Sequence, residues 1–203
     1  MKSLSEIETV SKRASRAAGY SWGICEEVGK NIRLLEMFGL PGIKNLNDYF
    51  DKKKKQKFEN LKLINAENKF IKLQYCPIIS GTSLLDQIKS LGNLNEIKFE
   101  GIAYPLLFLP FVSRASEIIG KRLLLKLDSN EFLLNFNNNI FSNFINNEII
   151  IIANIVTIRL LENTDSFSEK EWNQLYKLSE ETFVEESDSL KETAAGAGLT
   201  DND

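Results

Sequence analysis

The first 42 residues carry apolar side chains at helical spacing. Residues 3–18 predict one helix, in which Ser3 with Glu6, and Ser5 with Glu8, each fit the capping-box spacing. Its apolar positions are Leu4, Ile7, Val10, Ala14 and Ala17. A second helix is predicted from Ser21 to Gly39, with a buried face formed by Trp22, Cys25, Val28, Ile32, Leu35 and Phe38. Because glycine and proline residues flank this second helix and break the helical pattern, the sequence predicts a helical hairpin over residues 1–42.

Beyond residue 42 the apolar spacing alternates between helix and strand periods. Helices are predicted over residues 43–60, 82–91 and 104–120, and from Ser168 onward with Trp172, Leu175, Tyr176 and Phe183 on the apolar face. Strands are predicted over residues 61–64, 70–75, 96–102, 121–127, 131–136 and 148–161, the last as one long strand or two. Pro77 indicates that the second strand lies at a sheet edge or ends there.

This order of elements predicts an α+β fold. We expect an N-terminal helical hairpin packed on a mixed or mostly antiparallel sheet, with a C-terminal helix and an extended Gly/Asp tail. The expected organisation is a single α+β domain over residues 1–185 and a tail over residues 186–203.

The absence of histidine from all 203 residues narrows the chemistry more than any other count. It excludes Ser-His-Asp and Cys-His catalysis, histidine general bases and nearly all catalytic zinc sites. The sequence also lacks a P-loop, a dinucleotide-binding glycine motif, metal-ligand spacing and a nucleophile elbow. With no nucleotide or metal motif, any cofactor is unknown, and both an enzyme and a binding protein stay open.

The net charge of −3 argues against nucleic acid or an anionic membrane surface as a partner. The basic run over residues 52–55 is interpreted as a solvated face. No apolar run is long enough to span a bilayer, and residues 1–20 lack the apolar segment of a signal peptide. Since Cys25 and Cys76 are far apart, we expect two free thiols and a cytoplasmic location.

The last ten residues cannot contribute to a packed core, and they form the first candidate ligand-binding segment. Gly196 and Gly198 allow successive backbone N–H groups to converge on an anion. Thr200, Asp201 and Asp203 add a hydroxyl and two carboxylates that could meet a cation or an amine. A flexible C-terminus is the alternative.

Two further groups of residues are candidates for a ligand site. Tyr20, Ser21 and Trp22 lie where the second helix begins, and amide donors at a helix N-terminus bind carboxylate or phosphate. The alternative makes Trp22 a core anchor and Ser21 a cap. Tyr104 and Arg114 belong to the helix over residues 104–120, where Arg114 needs either a carboxylate partner or an anionic ligand.

Several of these motifs together resemble one uncharacterised bacterial domain-of-unknown-function family, family three-seven-two-six. They are Tyr20-Ser-Trp-Gly followed by Glu26-Glu27, the Gly39-Leu-Pro-Gly42 stop, Tyr104-Pro105 with Pro110, and the closing Gly196-Ala-Gly-Leu-Thr-Asp-Asn-Asp203. The resemblance spans essentially the whole chain, and its most specific part is the ending. It implies no known activity, but it implies that the tail is ordered or bound to a ligand.

Our leading hypothesis is a small-molecule site in cytoplasmic metabolism, binding or catalytic, closed by the tail. Tyr20, Trp22, Tyr104 and Arg114 would line it, with Arg114 holding an anionic group and Asp201 or Asp203 facing a cationic one. The alternative is a non-enzymatic subunit or interaction protein whose C-terminal motif docks into a partner protein. A homodimer that exchanges tails is a third hypothesis.

Overall fold

The computed structural model describes residues 2–69, 72–144 and 148–182. The chain forms two compact units, with the boundary between Asn163 and Thr164. Phe183, the expected boundary at residue 185 and the whole tail over residues 186–203 lie outside the described residues, so those expectations stay predictions.

Helices and one mixed sheet make up the larger unit, which confirms the predicted α+β class. Its helices are α1 (Leu4–Ala17), α2 (Trp22–Met37), α3 (Gly42–Lys55), α4 (Pro77–Leu91) and α5 (Leu109–Ile119), with a short 3₁₀ helix at Pro105–Leu107. Its strands are β1 (Glu67–Asn68), β2 (Glu96–Ala103), β3 (Arg122–Leu127), β4 (Asn130–Leu134), β5 (Ile140–Ser142) and β6 (Ile152–Leu161).

The sheet has the order β1-β2-β6-β3-β4-β5. β1 pairs with β2 in parallel, and every other neighbouring pair is antiparallel. The predicted hairpin over residues 121–136 is confirmed as β3 and β4, and it turns at Asp128 with a positive φ of 52°. The short strand β5 was missed because it lies in an asparagine-rich stretch with little strand signal.

The helical hairpin α1–α2 is confirmed, and Ile7 packs against the core as predicted, but the inward face of α1 is shifted from the predicted one. Ser11 and Ser15 are buried, whereas Val10 is 56% exposed. A Cβ added at Gly29 of α2 would lie 2.8 Å from the backbone oxygen of Glu8, so the two backbones approach closely. Small residues permit this approach, and the close contact sets the buried face.

The predicted buried face of α2 is correct in its centre and wrong at its first residue. Cys25, Val28, Ile32 and Leu35 are buried, but Trp22 is 55% exposed. Trp22 is the first residue of the helix, where it extends past the core and lies against α1. Ser21 is the predicted N-cap residue, although its side chain makes no capping hydrogen bond.

The predictions for residues 61–82 need correction. No strand forms over residues 61–64. Of the predicted strand over residues 70–75, the described residues 72–75 form only two isolated bridges, from Tyr75 to Glu59 and from Tyr75 to Ile102. Pro77 does not end a strand but begins α4, five residues before the predicted helix start, because proline suits the first helical position.

The smaller unit contains α6 (Glu169–Glu180), and its capping box of Ser168 and Glu171 is confirmed. None of the residues in α6 is buried. Among the helices that the structure describes, none has both the length and the apolar character needed to cross a membrane.

Candidate functional site

The structure places the five described candidate residues in three separate regions. Arg114 lies at a cleft between α2 and α5, Tyr20 and Tyr104 belong to a buried aromatic cluster, and Ser21 and Trp22 are exposed at the start of α2. The single pocket predicted to contain all of them does not form from these side chains.

The cleft between α2 and α5 has a volume of about 270 Å³, and we call it the α2–α5 cleft. α2 and α5 supply most of its walls, and the turn between β4 and β5 supplies the rest. Its lining residues are Lys30, Asn31, Arg33, Leu34, Met37, Arg114, Glu117 and Asn138. The cleft therefore combines three cations, one carboxylate and two amides with an apolar patch.

Asn31 is the residue that distinguishes this cleft. Its side chain is only 3% exposed, yet neither its amide nitrogen nor its amide oxygen has a hydrogen-bond partner within residues 2–69, 72–144 and 148–182. Leaving a buried polar group unpaired costs about 1–3 kcal/mol. Asn31 lines the cleft, and its amide group can both donate and accept a hydrogen bond.

Arg114 has the carboxylate partner that its position on an apolar helix requires. Its guanidinium forms an ion pair with Glu27, and both side chains are about three-quarters buried. Burial lowers the pKa of Arg114, and the carboxylate of Glu117 opposes that shift. Glu27 also accepts from Lys30 at 3.4 Å, so two cations share this carboxylate.

Hydrogen bonds and ion pairs also hold the other polar residues that line the cleft. The amide nitrogen of Asn138 donates to Glu117 at 3.1 Å, and Asn138 has a positive φ of 56°, which asparagine tolerates better than most residues. Arg33 is paired with Glu8 of α1 at 3.1 Å. The cleft thus presents Lys30 and Arg114 with Glu117 close to Arg114.

Tyr20, Tyr49 and Cys76 form a second polar region, which we call the tyrosine–cysteine cluster. The hydroxyls of Tyr20 and Tyr49 are 3.0 Å apart, and the Tyr49 hydroxyl lies 2.9 Å from the Cys76 sulfur. The backbone N–H of Ile79 donates to that sulfur at 3.4 Å, which caps α4. Burial raises the pKa of both tyrosines, which therefore stay protonated.

Tyr104 joins this cluster through the ring of Tyr49. The two rings meet edge to face with centroids 5.5 Å apart, and the Tyr104 hydroxyl donates to Asp48 at 2.5 Å. Burial, followed by the contact with Asp48, raises the pKa of Tyr104. Its backbone is left-handed, with φ 45° and ψ 57°. Sequence reasoning found Tyr20 and Tyr104 but not Asp48 or Tyr49, because no local pattern links residues that far apart.

Trp22 lies on the surface with Lys12 and Arg16 of α1 over its ring, at 5.9 and 5.3 Å from the ring centroid.

Cys25 is fully buried, and its thiol donates to the backbone oxygen of Tyr20 at 3.5 Å. Both cysteines are free thiols, as predicted. In the described ranges no group of three acidic or cysteine side chains comes together as metal ligands.

Gly196, Gly198, Thr200, Asp201 and Asp203 lie outside the described residues, so their role in binding stays a prediction.

Comparison with known proteins supports part of the resemblance. Residues 2–72 match the model of the family described as "Protein of unknown function (DUF3726)". No curated protein and no solved structure matches the chain. The matched region includes α1, α2 and α3, and therefore the α2 wall of the cleft.

Proposed function

We propose that this protein binds a small polar molecule in the α2–α5 cleft. Asn31 would donate to and accept from the ligand, and Arg114 with Lys30 would hold an anionic group on it. Specific ligand sites combine an apolar wall with a few convergent polar groups, and the cleft has this composition.

The Asn31 amide is the observation that carries this proposal. A buried amide with both atoms unpaired lowers the stability of the free protein. Residues kept at such a cost are typical of ligand sites, where function and stability oppose each other. Asn45 provides a contrast at the amide nitrogen. It is equally buried and its amide oxygen is also unpaired among the described residues, but its amide nitrogen donates to the backbone oxygen of Pro41 at 2.7 Å.

A thermal-shift screen tests this proposal. The panel contains small carboxylates, amino acids and primary amides, applied to the wild type and to Asn31→Leu and Asn45→Leu. We expect at least one compound to raise the melting temperature of the wild type and of Asn45→Leu, but not of Asn31→Leu. The proposal is wrong if no compound acts on the wild type, or if Asn31→Leu responds equally.

A second part of this proposal concerns the C-terminal tail. We propose that residues 196–203 close over the bound molecule, with Asp201 or Asp203 near its cationic group. The support is the composition of the tail, whose glycines and carboxylates are unsuited to a core.

A second candidate function is that of an interaction protein, in which the C-terminal region docks into a partner protein. The favouring observation is α6, in which Trp172, Leu175, Tyr176 and Leu178 are each more than half exposed. Replacing Leu175 and Leu178 with serine should then abolish co-purification of a partner. A chain that purifies alone, in the same state with and without the two substitutions, contradicts this candidate.

A further inference from the structure

The charges around the α2–α5 cleft indicate what kind of molecule it would take, an inference that rests on the proposed function. Lys30 and Arg114 share the single carboxylate of Glu27, whereas Arg33 has its own partner in Glu8. Lys30 and Arg114 therefore carry one positive charge more than their shared partner neutralises. A ligand carboxylate would complete this pairing, because charge-assisted hydrogen bonds to Lys and Arg are the strong ones.

Glu117 places a negative charge next to this cationic end. It follows Arg114 by three residues on α5, so the Cβ atoms of the two residues lie about 5–6 Å apart on the helix surface. Glu117 is exposed and already accepts one hydrogen bond, from Asn138. A carboxylate oxygen pair accepts about four hydrogen bonds, so Glu117 can also receive an ammonium group.

Asn31 adds a third requirement. Both amide atoms are unpaired and buried, so the complementary ligand group must accept and donate side by side. A primary amide has this arrangement of donor and acceptor.

The volume of the cleft is compatible with a small ligand. A volume of about 270 Å³ corresponds to roughly nine water molecules at about 30 Å³ each. A molecule with a similar number of non-hydrogen atoms fills this space. Drug-sized molecules need larger cavities, of about 300–1,000 Å³.

We infer that the α2–α5 cleft takes a free α-amino acid with an amide side chain. Its carboxylate lies between Lys30 and Arg114, its ammonium group at Glu117 and its amide on Asn31.

Three matched probes, measured by isothermal titration calorimetry on the full chain, test this inference. L-Asparagine carries all three groups, succinamate lacks the ammonium group, and β-alaninamide lacks the carboxylate. We expect L-asparagine or its longer homologue L-glutamine to bind, and each analogue that lacks a charged group to bind about tenfold to hundredfold more weakly.

Three variants assign each charged group to its partner. Lys30→Gln and Arg114→Gln should weaken L-asparagine at least tenfold and leave β-alaninamide unchanged. Glu117→Gln should weaken L-asparagine but leave succinamate unchanged. Lys30 and Glu117 are exposed, so their variants keep the fold even if Arg114→Gln, which leaves Glu27 with Lys30 alone, does not. Lys55→Gln, on the exposed end of α3, is the matched control and should bind like the wild type.

These experiments distinguish a wrong ligand class from a wrong binding site. If β-alaninamide or an uncharged amide binds as tightly as L-asparagine, and Asn31→Leu abolishes that binding, the amino-acid assignment is overturned while the cleft remains a ligand site. If Asn31→Leu leaves all binding unchanged, or if none of the screened compounds binds the wild type, both proposals are overturned.

Discussion

Two polar regions among the helices differ in how their hydrogen bonds are satisfied. In the tyrosine–cysteine cluster, the hydroxyls of Tyr20 and Tyr49 and the sulfur of Cys76 contact one another, and Tyr104 is paired with Asp48. In the α2–α5 cleft, the amide of Asn31 is equally buried but has no partner in the described part of the chain.

The difference separates a structural polar network from a candidate binding site. A satisfied buried network stabilises one arrangement of the core, because each group would lose its partner if the packing changed. An unpaired buried group lowers stability until something binds to it. Sequence reasoning placed Tyr20, Tyr104 and Arg114 in one site, but the structure puts the two tyrosines in the network and Arg114 at the cleft.

The largest expected effect is on the tyrosine–cysteine cluster. Tyr49 is fully buried and its ring contacts those of Phe50, Phe58 and Tyr104. Tyr49→Ala should lower the free energy of unfolding by about 3–5 kcal/mol, as for other large-to-small core substitutions. Tyr49→Phe, which removes only the hydroxyl, should cost about 1 kcal/mol. Urea unfolding measures both, and a Tyr49→Phe variant as stable as the wild type would contradict a structural hydrogen-bond network.

Alkaline pH should weaken the same cluster. Burial raises the pKa of Tyr20 and Tyr49 above that of an unfolded tyrosine, about 10. Stability from these residues is therefore complete below about pH 10 and falls as the pH rises, by about 1.4 kcal/mol per pH unit for each tyrosine.

Urea unfolding between pH 9 and 11, on the order of one unit to each side of the unfolded pKa, measures this loss. The double variant Tyr20→Phe/Tyr49→Phe should lose less stability with pH than the wild type. Tyr176→Phe, on the exposed helix α6, is the control that should follow the wild type. Identical pH dependence in all three proteins would show that the cluster does not resist ionisation.

Substitution of the two buried asparagines should have opposite effects. Asn31→Leu should raise the free energy of unfolding of the ligand-free protein by about 1–3 kcal/mol, because it removes an unpaired buried amide. Asn45→Leu should lower it by about 1 kcal/mol, because it removes the hydrogen bond to Pro41. Chemical denaturation compares the two, and a loss of stability in both variants would remove the contrast between Asn31 and Asn45.

The smallest effect on stability should come from the tail. Deleting residues 196–203 should leave the thermal midpoint within a few degrees of the wild type and abolish binding of L-asparagine or of any other compound found in the screen. Calorimetric titration of the truncated chain measures this. Unchanged affinity would show that the tail does not close the site.

Much of the fold could be predicted from the sequence because its signals are local. Ser3 and Ser168 cap α1 and α6. Each serine side chain accepts a hydrogen bond from a backbone N–H in the first turn of its own helix, from Glu6 in α1 and from Glu171 in α6. Gly120 ends α5 in a left-handed conformation that glycine favours. Each of these interactions spans four residues or fewer, so residue type and spacing reveal it.

Contacts between distant residues could not be predicted in this way. Asp48 and Tyr104 are 56 positions apart, and the inward face of α1 depends on how closely Gly29 lets α2 approach. Asn31 did leave a local signal. It falls three residues after Val28 and four before Leu35, on the apolar face of α2, where a polar residue is out of place. The missed signal was thus a polar residue within an apolar stripe.

The two short strands at the edges of the sheet have a consequence for behaviour at high concentration. β1 has two residues and β5 has three, whereas the central strands have five to ten. An exposed sheet edge recruits strands from other molecules through its unpaired backbone groups, and short edge strands offer few of them. The ends of this sheet therefore resist strand-by-strand aggregation.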